Sequence, residues 1–424
     1  METNDRWREG DPERAGAAPR PRHSIEEIEP IEQIEAPPRD DVLAHTHAHG
    51  GPAPAGRGAK RFLVAVMAVF IAATVAGAVL LWPHDGINKQ PWLAEGASLV
   101  TGTVAGIVTG DQGNFLRVHL DGGPTVDIPE DPTAPVSQAH IGQRVKAIQI
   151  EDQPGLYIFM DYERGAPMLL LVVVFVIIVV AVARWKGLAA LVGLAVALTL
   201  TWVFTLPALA TAKQPLLVAL VTASMVMFVV VYLAHGVSVK STTALISTFV
   251  GIAGVAALAW WAIPGTRLTP LQDENMGQLP YIYPGVDVRG VLLCGMVLAG
   301  VGVLNDVTIT QASAVWELRA AAPGANRRTI FSHAMKIGRD HIASTVYTIA
   351  FAYVGTAVGL LMLAARQDFS VLSLLTFNTI AQEVVATLVA SISLVGVIPV
   401  TTALAAWLVG PARSDPLPQV AGAG

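Results

Sequence analysis

The sequence predicts an α-helical polytopic membrane protein with about eight transmembrane helices and a small extracytoplasmic β-barrel-like domain. Of its 424 residues, 53% are hydrophobic and only 14% are charged, whereas soluble globular proteins carry about 25% charged residues. Several uncharged apolar runs exceed the roughly 18 residues that mark a membrane-spanning helix. Only residues 84–165 alternate polar and apolar positions as strands do. The composition argues against a soluble enzyme, and the net charge of −5 argues against a nucleic-acid partner.

The N-terminal segment, residues 1–61, is predicted to be a disordered cytoplasmic tail. It is rich in Pro, Gly, Ala and Glu, and it holds too little apolar surface to offset the entropy of ordering the chain. His45, His47 and His49 alternate in this tail, and neutral imidazoles are common metal ligands. A flexible segment gives them no fixed geometry, so metal binding stays an open question at this point.

The first apolar run, residues 62–82, is predicted to be a transmembrane signal anchor. Arg57, Lys60 and Arg61 precede it, and the positive-inside rule then places the N-terminus in the cytoplasm. The sequence Ala76-Gly77-Ala78 also fits the cleavage pattern of a signal peptide. The long tail before the run and its full-length apolar core favour an uncleaved anchor.

Residues 84–165 are predicted to form a small all-β, OB-like domain outside the membrane. Apolar and polar positions alternate in several short segments that Gly and Asp separate, which is typical of antiparallel strands. The strand-like runs are Val100 to Val108, Leu116 to Leu120, Thr125 to Ile128, Arg144 to Ile150 and Leu156 to Asp161. Five strands in about 80 residues suit an OB-like or SH3-like barrel. Such a domain is a candidate site for a protein partner.

The remaining membrane domain, residues 166–410, is predicted to contain seven spans. They are residues 166–183, 187–206, 214–234, 241–263, 288–309, 342–365 and 383–409. The short connections on the cytoplasmic side then hold eight Lys and Arg residues against four on the outer side, so both termini, including the tail 411–424, are predicted to be cytoplasmic. The polar segment 310–341 should form a helical extension, a break at Pro323 to Asn326, and a second helix.

One of these spans draws an acidic residue below the lipid headgroups. The uncharged stretch from Gly290 to Leu304 has 15 residues, or roughly 22 Å at 1.5 Å per residue. A hydrocarbon core is about 30 Å thick. Because a short aspartate cannot extend to the interface as an arginine can, Asp306 is predicted to lie within or at the edge of the inner leaflet.

Asp306 belongs to one helical face that carries small residues in its outer half and polar residues in its inner half. The face comprises Gly295, Ala299, Gly302, Asp306, Thr310, Ser313 and Glu317, which recur at intervals of three and four. Small residues let helices approach closely, so one interpretation is a packing seam that continues as a solvated cytoplasmic helix. The other is a stripe that faces a polar cavity or pathway.

Two later helices carry further polar residues. Asp340 and Ser344 share one face of the next helix with His333, Lys336 and Tyr347, and His341 lies on the neighbouring face. Two carboxylates and an imidazole at a similar depth are able to bind a cation or relay protons. The alternative is that Asp340 and His341 cap the helix at the interface, paired with nearby arginines.

The last span contributes Glu383 and Thr387, which lie one turn apart on the same helical face near the outer end. Glu383 lies at the opposite membrane surface from Asp306, so the two can mark only the ends of a path, or else Glu383 is simply solvated at the interface. The predicted polar pathway therefore comprises Asp306, Thr310, Asp340, His341, Ser344, Glu383 and Thr387.

Two long polar motifs that enter the membrane, Asn305 to Leu318 and Ile337 to Val346, resemble the YibE/F family of bacterial membrane proteins. The resemblance continues at Glu383 and at Pro399 to Thr402, and it covers roughly residues 165–410. It implies a bacterial cell membrane location and this order of helices, and it brings no settled biochemical activity.

The chain also departs from the family pattern. Relatives usually carry Asp at the position of Asn305, Asn at that of Tyr347, and Arg followed by Gly-Ser-Ile-Gly where this chain has Ala386 and Ala390-Ser391-Ile392-Ser393. If the missing acid and arginine belong to a charge relay, the resemblance implies that this chain is altered in it.

The leading functional hypothesis is a transporter or channel for a small solute or ion, with the lipid bilayer as the surrounding partner. The alternative is a non-transporting membrane scaffold whose outer β domain binds a protein partner. No HExxH, GxSxG or P-loop motif occurs, so neither an enzymatic activity, a catalytic residue nor a cofactor is expected. The single cysteine, Cys294, excludes an intrachain disulfide.

Overall fold

The computed structural model describes residues 56–84, 87, 91–110, 113–129, 139–153, 155–272, 274–366 and 370–410. Two predicted segments lie outside these residues. One is the disordered tail with its three histidines, of which only residues 56–61 are described, and the other is the C-terminal tail 411–424. The described part is mostly helical and carries one small sheet.

Seven helices in the described residues are long and apolar enough to cross a membrane. They are α1 (Arg57–Leu81), the stretch Gly165–Ala210, α4 (Pro215–His235), α5 (Val239–Gly265), α7 (Val288–Ala321), α8 (Arg327–Arg366) and α10 (Asn378–Leu408). The stretch Gly165–Ala210 consists of α2 (Gly165–Leu200), a π-helical turn (Thr201–Thr205) and α3 (Leu206–Ala210). Shorter elements are a 3₁₀ turn (Pro270–Gln272), α6 (Glu274–Ile282) and α9 (Val371–Leu375).

These seven stretches compare with about eight predicted spans, because one stretch contains two of the predicted spans. The predicted spans 166–183 and 187–206 both lie in the stretch Gly165–Ala210. The backbone leaves the helical conformation at Arg184, where φ is 52° and ψ is −133°, so α2 consists of two helices across a sharp kink. A Cβ added at Gly187 would lie 2.5 Å from the carbonyl oxygen of Val179, eight residues earlier, so the chain folds back sharply at this kink.

The predicted break in the segment 310–341 is found between α7 and α8. Arg319, near the end of α7, is buried and donates to the carbonyl of Ala325 at 2.6 Å. Asn326 accepts from the backbone N–H of Thr329 at 2.7 Å and so caps the start of α8. Both helices thus extend well beyond the apolar stretches that identify them in the sequence.

The sheet domain contains the five predicted strands: β1 (Ala97–Gly110), β2 (Gly113–Leu120), β3 (Thr125–Pro129), β4 (Arg144–Ile150) and β5 (Tyr157–Tyr162). All neighbours are antiparallel, in the order β3-β2-β1-β4-β5. Val104, Val118, Ile128 and Val145 form its buried core. No ladder joins β3 to β5 in the described residues, so the sheet is open and closure into a barrel is not shown.

Ion pairs connect the strands of this sheet at its exposed surface. Arg144 on β4 lies 2.6 Å from a carboxylate oxygen of Asp121 and 2.5 Å from one of Glu163. Thr101 on β1 also donates to Asp121 at 2.6 Å. The hydrogen bonds from Arg144 first, and from Thr101 second, hold the pKa of Asp121 below its usual range.

This lowered pKa predicts a pH-dependent contribution to the stability of the sheet. A carboxyl whose pKa is lowered by folding stabilises the folded state above its ordinary pKa of about 3.9, and this contribution is lost as the pH falls through the folded value. We expect Asp121→Asn to weaken hydrogen-exchange protection of β4 at pH 7, and the difference from the wild type to shrink towards pH 3. Asp152→Asn, at a turn carboxylate without an ion pair in the described chain, is the matched control. An equal effect of both variants at pH 7 would contradict the assignment.

The helices pack around α7, which contacts α4, α5, α8 and α10. The most apolar window of α5 is 61% buried in the chain, whereas that of α8 is only 11% buried. The buried core of the helices includes Val297, Leu304, Leu394 and Ile398. The centre of the helical part is therefore formed by α5, α7 and α10, and α8 lies at its margin.

Candidate functional site

The site is built where α7, α8 and α10 meet. The side-chain amide of Gln311 on α7 is buried and donates to the carbonyl of Ala334 on α8 at 2.9 Å. It also donates to the hydroxyl of Thr402 on α10 at 2.7 Å. This amide clamp, formed by Gln311, Ala334 and Thr402, fixes the three helices relative to one another near the end that is predicted to face the cytoplasm, which we call the inner end.

The antiparallel register of α5 and α7 is set by three close pairs. They are Thr248 with Thr308, whose hydroxyls are 2.7 Å apart, Gly251 with Leu304, and Val255 with Gly300. A Cβ added at Gly251 would lie 2.9 Å from Leu304, and one at Gly300 would lie 3.0 Å from Val255. Both glycines are therefore required for the close approach of these two helices.

This register gives the depth of Asp306 along the bundle. It places Asp306 level with Phe249, nine residues from Lys240 at the inner end of α5, or about 13 Å at 1.5 Å per residue. Arg267 at the outer end lies about 27 Å away on the same scale. Asp306 is thus level with the uncharged stretch between Lys240 and Arg267.

Asp306 is brought next to His341 of α8. The Nε2 atom of His341 lies 3.9 Å from a carboxylate oxygen of Asp306. The imidazole nitrogen is buried and makes no hydrogen bond within the described chain, while the Asp306 side chain is 71% exposed. The pair therefore combines a carboxylate that faces open space with an imidazole that closes off one side of it.

The open space follows the small-residue face of α7. We call the line of Gly295, Ala299, Gly302 and Asp306 the α7 groove. A Cβ added at Gly295 or Gly302 would meet no described atom within 4 Å, in contrast to Gly300 on the packed side. Within the described chain these small residues therefore leave room beside α7 and do not pack against a neighbouring helix.

The outer end of the groove opens into a cavity of about 230 Å³. Gly295 and Ala299 of α7, Tyr353 of α8, and Gln382 and Glu383 of α10 are among the residues that line it. The groove thus runs from this cavity, which Glu383 borders, to the Asp306–His341 pair.

The other predicted pathway residues are placed differently. Asp340 and Ser344 are exposed on a face of α8 that points away from the bundle, and Thr310 is exposed one turn below Asp306. Thr387 donates to the carbonyl of Glu383 in its own helix at 2.7 Å. The structure therefore brings together Asp306 and His341, and it keeps Asp340, Ser344 and Glu383 apart from that pair.

Sequence reasoning missed several buried polar groups. Gln311 and Thr402 lie in the family motifs, but the sequence reasoning assigned them no role. A glutamine five residues after Asp306 in such an apolar helix is itself an indication of a buried polar contact. Asn305 Oδ1, Gln382 Nε2 and Ser393 Oγ are buried without a hydrogen-bond partner in the described chain. Buried polar atoms ordinarily find a partner, so these atoms mark further places where water or a solute can bind.

No group of three or more His, Cys, Asp or Glu residues in the described ranges is arranged to hold a metal ion. Cys294 is buried as a free thiol.

A family model described as YibE/F-like protein matches residues 171–411, more than half of the chain. The chain belongs to the YibE/F family. The match runs from α2 through α10 and so contains the whole α7 groove, while α1 and the sheet lie outside it. Searches of curated proteins and of solved structures each gave no match. YibE/F membership and the seven apolar helices indicate a multi-pass membrane protein.

Proposed function

We propose that this YibE/F-family protein moves a small solute or ion across the membrane, as a transporter or channel, along the α7 groove. The observation that carries the proposal is the open line of Gly295, Ala299 and Gly302 between a 230 Å³ cavity and the Asp306–His341 pair. An open line of small residues that leads to a carboxylate is the expected setting of a pathway, since ionisable residues within the hydrocarbon region are costly elsewhere.

The depth of Asp306 supports this use. A hydrocarbon core of about 30 Å is shorter than the uncharged stretch between Lys240 and Arg267, which spans about 39 Å. With that stretch centred in the bilayer, Asp306 falls in the inner half of the hydrocarbon region. A carboxylate at that depth requires a cation, a proton or water beside it.

The Asp306–His341 pair suits a cationic species or a proton. A carboxylate attracts a cation, and a neighbouring imidazole takes up and releases a proton without covalent chemistry. Thr310 below the pair and Glu383 with Thr387 at the outer end extend the polar route towards the two surfaces. Asp340 and Ser344, on the exposed face of α8, are proposed to lie near the inner entrance of the pathway.

We place the protein in the bacterial cell membrane with both termini in the cytoplasm. Arg57, Lys60 and Arg61 precede or begin the first apolar helix, and Arg327 and Arg328 begin α8 at the same predicted side. The five-stranded sheet then lies outside the cytoplasm.

The proposal is tested with the full chain reconstituted in liposomes that enclose a pH-sensitive dye. Gradients of metal ions, organic cations and protons are imposed one at a time to find a transported species. We expect Asp306→Asn to reduce flux to the level of protein-free liposomes while the melting temperature is retained, because the amide keeps the shape and removes the charge.

Glu317→Gln is the matched control, since Glu317 lies three turns below Asp306 on the same face, level with the inner end of α5. Its flux should equal that of the wild type. Folded Asp306→Asn protein with undiminished flux would overturn the proposed pathway.

A second candidate function, a scaffold whose sheet binds a protein partner, is favoured by one observation. Leu99, Ile158 and Met160 are 42%, 46% and 40% exposed on the side of the sheet opposite its core, and β5 is an edge strand. Leu99 and Ile158 flank Ile148 on three adjacent strands, and contiguous exposed apolar residues mark interaction surfaces. If the protein is a scaffold, deleting residues 90–160 removes the cellular phenotype while Asp306→Asn leaves it unchanged.

A further inference from the structure

Tyr353 and Glu383 lie between two cavities. Both residues line the 230 Å³ cavity at the outer end of the α7 groove, and both also line a second cavity of about 460 Å³ between α8 and α10. The two side chains are close enough for the carboxylate charge to act on the phenol. They therefore form a shared wall between the groove and the second cavity, which we call the α8–α10 cleft.

The α8–α10 cleft is apolar apart from this wall and a few hydroxyls. Val354, Leu361, Val384 and Leu388 are among its lining residues. Val354 and Leu388 are also 46% and 53% exposed. In a membrane, exposed apolar side chains of this kind face lipid acyl chains. The cleft is thus a side opening of the helical part towards lipid.

The charge of the two cavities has one sign. Among the described lining residues, Glu383 is the only acid, and neither Lys, Arg nor His is present. A carboxylate beside an aromatic ring is complementary to a cation, through direct attraction and through the face of the ring. The apolar lining excludes a small, strongly hydrated cation from the cleft itself but accepts an apolar substituent.

The height of Glu383 also fits this chemistry. Ser393 lies against Gly254 and Val397 against Gly251. This register puts Glu383 level with Pro264, three residues from Arg267, or about 4 to 5 Å along the helix. Glu383 is therefore near the outer end of the apolar stretch, where an amphipathic cation places its charged head while its apolar part lies among acyl chains.

We infer that the α8–α10 cleft admits an amphipathic organic cation from the lipid, with its charged head at Glu383 and its apolar part between α8 and α10. The inference rests on the proposed function and names its substrate class. The volume of 460 Å³ is within the range of about 300 to 1,000 Å³ that is usual for small-molecule sites.

The test is equilibrium dialysis of the purified full chain in detergent against tetraphenylphosphonium, with tetraphenylborate as the anion of the same shape. The two ions are dialysed separately, and we expect saturable binding of tetraphenylphosphonium and no saturable binding of tetraphenylborate. Glu383→Gln should weaken the cation's binding roughly tenfold or more, which corresponds to about 1.4 kcal/mol. Asp287→Asn, at an outer-end acid that lines neither cavity, should leave it unchanged.

A second variant keeps the test decisive if Glu383→Gln does not fold. Ala357→Phe fills the α8–α10 cleft without altering charge, and it should also abolish saturable binding. Equal affinity of the wild type and folded Glu383→Gln, or equal binding of the anion, would overturn the inference.

The binding assay separates this inference from the proposed transport. Binding that depends on Glu383, together with liposomes that show no flux of any species, supports the site and contradicts the pathway. Flux that depends on Asp306, without any binding of tetraphenylphosphonium, contradicts the site alone.

Discussion

Replacing Gly338 with leucine is expected to detach the inner half of α8 from α7 and α10. A Cβ at this position would lie 2.7 Å from Ile398 Cγ2 and 3.1 Å from Gln311 Oε1, so even the first added atom displaces the side chain of the amide clamp. Overpacking of a core costs about 1 to 3 kcal/mol, and a lost buried hydrogen bond costs a similar amount. We therefore expect a loss of roughly 3 kcal/mol or more in the free energy of unfolding.

The measurement is the melting temperature of the purified full chain and the fraction that stays monodisperse in detergent. Gly359→Leu is the matched control, because Gly359 is on the same helix and a Cβ there would meet no described atom within 4 Å. If both variants melt at the wild-type temperature, or if both lose the same stability, the packing of α8 through Gly338 is wrong.

Replacing Gly302 with leucine is expected to stop flux while the protein stays folded. Gly302 lies in the α7 groove one turn above Asp306, where an added Cβ would meet no described atom within 4 Å and the rest of the leucine side chain would occupy the proposed pathway. Leucine also has a higher helix propensity than glycine by up to about 1 kcal/mol. The melting temperature should therefore be unchanged or slightly raised, although liposome flux falls to background.

Gly396→Leu is the counterpart outside the groove. Gly396 on α10 is also without described neighbours within 4 Å of an added Cβ, so it controls for the size and hydrophobicity of the new side chain. Its flux should match that of the wild type. Unaltered flux in folded Gly302→Leu protein would remove the α7 groove as the route.

The helices and strands could be predicted from the sequence because each has a strong local signal. Apolar runs such as that of α10 and the alternation in β2 depend only on residues close in the chain. The break between the second and third predicted spans could also be predicted, because the charged pair Arg184 and Lys186 interrupts the apolar run where the backbone leaves the helical conformation. Closure of a barrel depends on the pairing of β3 with β5, which no local pattern encodes.

The candidate site could be predicted only in part, for a related reason. Helical periodicity is sufficient to place Asp306 and Gly302 on one face of α7. It does not fix how far α8 is rotated about its own axis, so Asp340 and His341 were equally good partners for Asp306 until the structure placed His341 at 3.9 Å. The role of Gln311 was hidden because its partners lie 23 and 91 residues away.

The polarity of the amide clamp has a consequence for the charge around Asp306. Gln311 uses its nitrogen as the donor in both bonds, and Thr402 passes the chain of donors on to the carbonyl of Ile398 at 2.7 Å. An isosteric glutamate would turn a negative oxygen towards the Ala334 carbonyl and repel it. The attachment of α8 through Gln311 is therefore electrically neutral, and it adds no further charge to the helix that carries Asp306.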